Sequence, residues 1–404
     1  MDYSIHTTIA SLKHRHFRNL WIGTMFMWCA GQFQFMCQGY LAYELTGSAK
    51  IIGLISVGYG LPLIILGLFG GTLADRMEKK RLIQLFQGGE AIISLILAIA
   101  VITGTITWYH LLFASILHGG LFAFMLPARQ ALIPLLVAPK EITNAISLNS
   151  AGQSLIGLTG PALAGTLYTF LGVEFVFISM FILQTMAMLL TNKVPKLQTV
   201  QPKPEQSLLN DIKIGLIVVI GNQRVLILVA MVLLSTLLLL PMIQLLPIFV
   251  VDVYQKEADS LGILTAVMGL GSLIGSLIVA SIGQWKRGLI LLCTSFIAGL
   301  SVIALVIFPN FLIGIPIMLF KGFGGSPQRA LKESLAMETV PDKYRGRVIS
   351  LMMISYGLAP IGVLSLGFMT DIYGIRFTFT VIGIILTIAT AIISISQPSL
   401  RKAN

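Results

Sequence analysis

Four ionisable residues stand in or at the edge of stretches that are otherwise apolar: Glu44, Glu90, His118 and Lys321. Charge is costly in an apolar interior, and such groups are kept where a proton, an ion or a charged solute must be handled. A carboxyl such as Glu90 can take up and release a proton, and an imidazole such as His118 titrates near neutral pH. Lys321 can hold an anionic group of a solute or pair with a carboxylate. Glu44 suits a gate or a proton entry point. Each also has a plainer reading: a bond between helices for Glu90, a packed ring donating to a carbonyl for His118, a lysine reaching toward water for Lys321, a solvated helix end for Glu44.

The other polar residues in these stretches are mostly amides: Gln32, Gln34 and Gln38, then Asn149 and Gln153, then Gln244. Gln34 and Gln38 are one helical turn apart and share a face. With Phe33, Met36 and Tyr40 beside them they make an amphipathic lining suited to a large, mostly apolar solute, because methionine and aromatic side chains adapt to varied shapes. Hydrogen bonding between helices is the competing use. No phosphate-cradling loop occurs, and Gly269, Gly271 and Gly275 lie inside an apolar run, where they serve packing. Cys29, Cys37 and Cys293 also fall in apolar runs, as small hydrophobes without metal or disulfide spacing. The pattern predicts no enzyme, no cofactor and no metal.

The elements that must position these residues are membrane helices. Hydrophobic residues make up 56% of 404, charged residues 11%, and mean hydropathy is +0.90. Soluble domains carry roughly 25% charge. Apolar runs predict twelve spans, at 19–43, 50–73, 82–103, 107–128, 145–170, 174–192, 225–250, 260–282, 288–308, 311–330, 348–370 and 376–396. The first follows a basic N-terminus but is too long for a signal sequence and reads as a retained helix. The net charge of +11 follows topology rather than nucleic acid. Of 27 Lys and Arg, only Lys50, Lys256 and Arg376 fall opposite the N-terminal side, and Lys321 lies within a span. The positive-inside rule therefore gives both termini in the cytoplasm.

The halves repeat. PARQAL at Pro127 answers PQRAL at Pro327, Pro161 answers Pro360, and LGVEF (171–175) answers YGIRF (373–377). This predicts a bundle of six spans over 1–192, a polar, proline-bearing cytoplasmic linker over 193–224 with an amphipathic helix, and a second six-span bundle over 225–404. Paired parallel repeats are the plan of the major facilitator fold.

The densest charge cluster lies in GGTLADRMEKKR, from Gly70 to Arg81. It resembles the signature of the loop between spans 2 and 3 in the major facilitator superfamily. Glu78 stands where that signature usually has glycine, which is similar to one group of drug:proton antiporters that includes enterobactin-type exporters and macrolide efflux proteins. YELTGSA (43–49), LPARQALIPLLV (126–137), NAISLNS (144–150) and GPALAG (160–165) point the same way.

The resemblance implies a monomeric, multi-pass exporter in a bacterial inner membrane, moving small amphipathic or hydrophobic molecules by alternating access against protons. It implies that spans 1, 4, 7 and 10 line a central cavity, which Gln34, Gln38, His118, Gln244 and Lys321 would face; Asn149 and Gln153, on span 5, complete the cavity candidates. Glu90, His118 and Glu44 are the candidate proton carriers. Gly71, Asp75, Arg76, Lys79, Lys80, Arg129, Arg329, Arg345 and Arg347 are the candidate conformational latch, with Asp75 capping the start of span 11. Gly157, Gly160, Pro161 and Gly165 are similar to the span-5 motif of exporters. Two other readings stay open: a facilitator or lysophospholipid flippase of the same fold, and a membrane sensor that no longer transports.

Overall fold

The computed structural model describes residues 10–76, 78–195, 208–282 and 286–401. Every regular element among them is helical. Among the described residues, ten helical stretches are long and apolar enough to cross a membrane. The chain divides into two compact units, one formed by 1–46 and 57–203, the other by 47–56 and 204–404.

The first unit contains α1 (Arg15–Thr46), most of α2 (Ala49–Arg76), α3 (Lys79–Ile102), α4 (Trp108–Leu132), α5 (Ile142–Leu171) and α6 (Val173–Asn192). α1 packs on α5 and α6, and α3 on α4 and α6. α1 is thus integral to the bundle. Its core holds Phe17, Leu20, Ile83, Phe86, Met125 and Leu132, all almost fully buried. Pro161 sits inside α5 without breaking it. Two turns of small residues carry α5 close to α1: a Cβ at position 160 would lie 2.8 Å from Gln32 Cβ.

The second unit contains α7 (Leu208–Gly221), α8 (Gln223–Gln244), α9 (Leu246–Asp252), α10 (Ala258–Ile282), α11 (Arg287–Ile307), α12 (Phe311–Thr339), α13 (Asp342–Tyr356), α14 (Ala359–Tyr373), α15 (Ile375–Ser396) and α16 (Pro398–Arg401). α7, in the segment read as a linker, packs against α13, where Gly215 approaches the Arg347 carbonyl. Residues 196–207 of that linker lie outside the described residues. Asn222 starts α8 by accepting hydrogen bonds from the Arg224 and Val225 amides, and Asn310 starts α12 in the same way.

Several boundaries differ from those read in the sequence. The seventh span is broken at Leu245, where Pro247 restarts a short helix, and the eleventh at Gly357–Leu358, where Pro360 opens α14. The tenth continues to Thr339, because nothing between 330 and Pro341 interrupts a helix, so Lys332 lies within α12 rather than in a loop. The cysteines do not share one buried role: Cys37 is buried and Cys293 exposed. The repeated glycines do keep one role. Gly172 and Gly374, with φ of 100° and 84°, each end one helix and begin the next, a conformation open to glycine at little cost.

Candidate functional site

Glu90 and His118 meet inside the first unit. Glu90 lies on α3, a turn after Gln87, and His118 lies mid-way along α4. Their closest atoms, Glu90 Oε1 and His118 Nδ1, are 2.7 Å apart, with side chains 1% and 14% exposed. The contact is close but off the hydrogen-bonding axis of both atoms. Rings enclose the imidazole: Tyr59 at 5.1 Å, Phe86 at 5.7 Å and Phe122 at 5.9 Å between centroids, the last nearly parallel. Aromatic faces favour a cation.

A glycine brings one of these rings in. Gly119 follows His118, and a Cβ there would stand 2.0 Å from the Tyr59 carbonyl oxygen, so α2 and α4 touch backbone to backbone. The arrangement places one acid and one base around a single short contact. It can hold a proton, and the imidazolium–carboxylate form carries no net charge, whereas loss of the proton leaves one uncompensated negative charge in an apolar setting.

The other amides divide. Gln38 is tied to α4, its amide donating to the Leu111 carbonyl at 3.0 Å and to Ser115 Oγ at 2.7 Å. Gln34 is buried. Asn149 and Gln153, one turn apart on α5, and Gln244 at the end of α8 are half-buried. Glu44 is exposed and accepts a hydrogen bond from Tyr168.

The second unit has buried lysines instead. Lys321 is 4% exposed, and its Nζ lies 3.1 Å from Met268 Sδ. Lys332, which the sequence reading left in a loop, is 2% exposed and donates to Met231 O, Ser235 Oγ and Gln328 Oε1. Lys321, Gln328 and Lys332 are spaced by seven and four residues, one face of a helix, and that spacing was the available signal. Gly322 and Gly324 hold α12 tightly against α10 and α11.

The residues read as a latch are each described within their own unit. Gly71, Asp75 and Arg76 lie on α2, but their surroundings are outside the described residues. Lys79 and Lys80 are nearly buried, and Lys80 Nζ donates to the Asn192 carbonyl that ends α6. Arg345 donates to the Met337 carbonyl and pairs with Asp342, and Arg347 lies over the Tyr344 ring. Arg329 is exposed, pairs with Glu333 and lies over Tyr356. Arg129, its counterpart by repeat, is 3% exposed over the Trp28 ring. One acidic residue was missed: Asp371, ending α14, accepts from the amides of Ala49 and Lys50 and the hydroxyl of Ser48, and so caps α2. An aspartate there carries no sequence signal beyond its charge.

The model of a major facilitator family described as transmembrane secretion effector matches residues 6–403. The chain belongs to that family. Its members are transporters, not enzymes. A staphyloferrin A transporter of Staphylococcus aureus is 24% identical over 83% of this chain and 85% of its own length. A macrolide efflux protein A of Streptococcus pyogenes is 25% identical over 89% and 90%, and an enterobactin exporter of Escherichia coli 25% over 77% and 71%. Among solved structures, a bacterial homolog of the human lysosomal transporter Spinster gives a TM-score of 0.75 at 13% identity, covering 99% of each chain. A nucleoside transporter, NupG, gives 0.76 at 13% identity, covering 95% of this chain and 99% of its own. The chain is thus a multi-pass major facilitator transporter whose relatives are efflux proteins.

Proposed function

We propose that this protein is a proton-driven exporter of small amphipathic solutes, of the drug, macrolide or siderophore type, working by alternating access. The observation that carries the coupling is the Glu90–His118 contact: an acid and a base 2.7 Å apart, enclosed by rings and buried in one unit. A pair that is neutral when protonated and charged when not changes the cost of its own burial with each proton, and so biases a two-state protein. The positive-inside pattern supports twelve spans in a bacterial inner membrane with both termini inside. α1 and α12, of 32 and 29 residues, supply the two spans beyond the ten most apolar helices.

On this reading Gln34, Asn149, Gln153, Gln244 and Lys321 contact solute, Gly157, Gly160, Pro161 and Gly165 let α5 move against α1, and Asp75 with its basic neighbours forms the inner latch. The relatives' named cargoes, staphyloferrin A, macrolides and enterobactin, support a mid-sized amphipathic solute. The test is uptake of a fluorescent macrolide or dye into inverted vesicles. Uptake falls to background when the proton gradient is collapsed with an ionophore. Unchanged uptake would leave facilitation and remove proton antiport.

A further inference from the structure

The first unit also holds donors that find no acceptor among the described residues. Arg129 is 3% exposed, and its Nε and Nη1 are two of them. Its Cζ lies 5.3 Å from the centroid of the Trp28 ring, and Trp28 Nε1 is likewise buried without an acceptor. An indole N–H and a guanidinium are donors only, so neither satisfies the other. The guanidinium keeps its charge under all ordinary conditions.

Its visible support falls short of its cost. A cation over an indole face is stabilised when desolvated. A place in the last turn of α4 adds a smaller contribution from the helix carbonyls. The penalty for burying an unpaired ion exceeds both. Lys80, by contrast, has its carbonyl, and Lys332 has three acceptors. Arg329, the repeat counterpart, has a carboxylate. Arg129 alone among these is supported by a ring and not by an acceptor, with a second orphan donor in that same ring.

We propose that Arg129 and Trp28 form a recognition subsite for an oxyanion carried by the exported solute, the guanidinium supplying charge and the indole N–H a second donor. Without an acceptor the cation rests on the ring face; with one, it turns its N–H groups onto the oxygens. This deepens the export reading by giving the solute an acidic group, and it rests on that reading. The same oxyanion chemistry is carried by a lipid phosphate.

The test is binding to the whole chain in nanodiscs of phosphatidylcholine, with no proton gradient, so that its failure is separate from a failure of coupled export. The probe is benzoate, an apolar ring with one carboxylate, against benzamide, the same ring uncharged. Benzoate raises the unfolding temperature and benzamide does not. Trp28→Phe keeps a ring beneath the cation and removes the N–H, so it weakens benzoate several-fold. Arg129→Gln abolishes the shift, and Arg129→Lys, which preserves the charge if glutamine misfolds, weakens it about tenfold or more. Loss of the benzoate shift in phosphatidylglycerol nanodiscs identifies lipid phosphate as a rival occupant of the same donors. Equal shifts with benzoate and benzamide, or benzoate binding undiminished in Trp28→Phe and the foldable Arg129 variant, would overturn the proposal.

Discussion

The two units repeat one plan but bury different charges. In the first, an acid and a base sit against each other on α3 and α4. In the second, two lysines sit on α12 with neutral partners only: a thioether, a hydroxyl, an amide and a carbonyl. The offset that aligns Arg129 with Arg329 sets Leu121 opposite Lys321 and Leu132 opposite Lys332. Leu132 is 1% exposed and Lys332 2%, so the repeat kept burial at that place and exchanged an apolar side chain for a cation. A shared scaffold therefore does not dictate shared chemistry. On the present account the proton is handled in the first unit alone, whereas positive charge is presented to the solute by Arg129 in the first unit and by Lys321 in the second.

The comparison breaks hardest if the repeat is forced to match. Leu132→Lys puts an unpaired cation into the core beside Ile83 and Met125 and should destabilise the first unit by about 3–5 kcal/mol, read as early unfolding in detergent. Lys332→Met, in the second unit, removes a cation whose burial was already costly. It should change stability by no more than about 1 kcal/mol while lowering export of an anionic solute. Loss of stability in the second variant equal to that in the first would mean Lys332 is structural.

A smaller effect is expected where both units use glycine. α2 crosses α4 at Gly119, and α10 crosses α12 at Gly271 and Gly322, each with an added Cβ within about 2 Å of a carbonyl. Gly119→Ala should cost about 1–3 kcal/mol by overpacking. It should also push Tyr59 off His118, so coupling falls further than solute binding; equal falls in both would detach the ring from the proton site. The smallest effect is at Arg329, exposed and paired with Glu333 one turn on. Arg329→Gln should change stability by at most about 0.5 kcal/mol, in thermal unfolding at low salt.

The helices were legible because lipid demands long apolar runs. Glu90 and His118 were each legible as expensive residues. Their meeting was not, since it depends on how α3 and α4 rotate against one another across 28 positions of chain. Lys332 was hidden because a charge was taken to end a span, whereas a helix end can bury a lysine whose head finds acceptors on α8 and its own previous turn. Arg129 and Arg329 looked alike in sequence. Their surroundings separate them: one has a ring, the other a ring and a carboxylate.

The central claim is that the Glu90–His118 contact carries the transported proton. The most direct measurement is proton movement in proteoliposomes, recorded by a trapped pH dye as macrolide is added, for the native chain and for Glu90→Gln, with solute binding measured alongside. The account predicts solute-dependent proton movement in the native chain, none in Glu90→Gln, and binding preserved in both. Proton movement in Glu90→Gln at the native rate would contradict it.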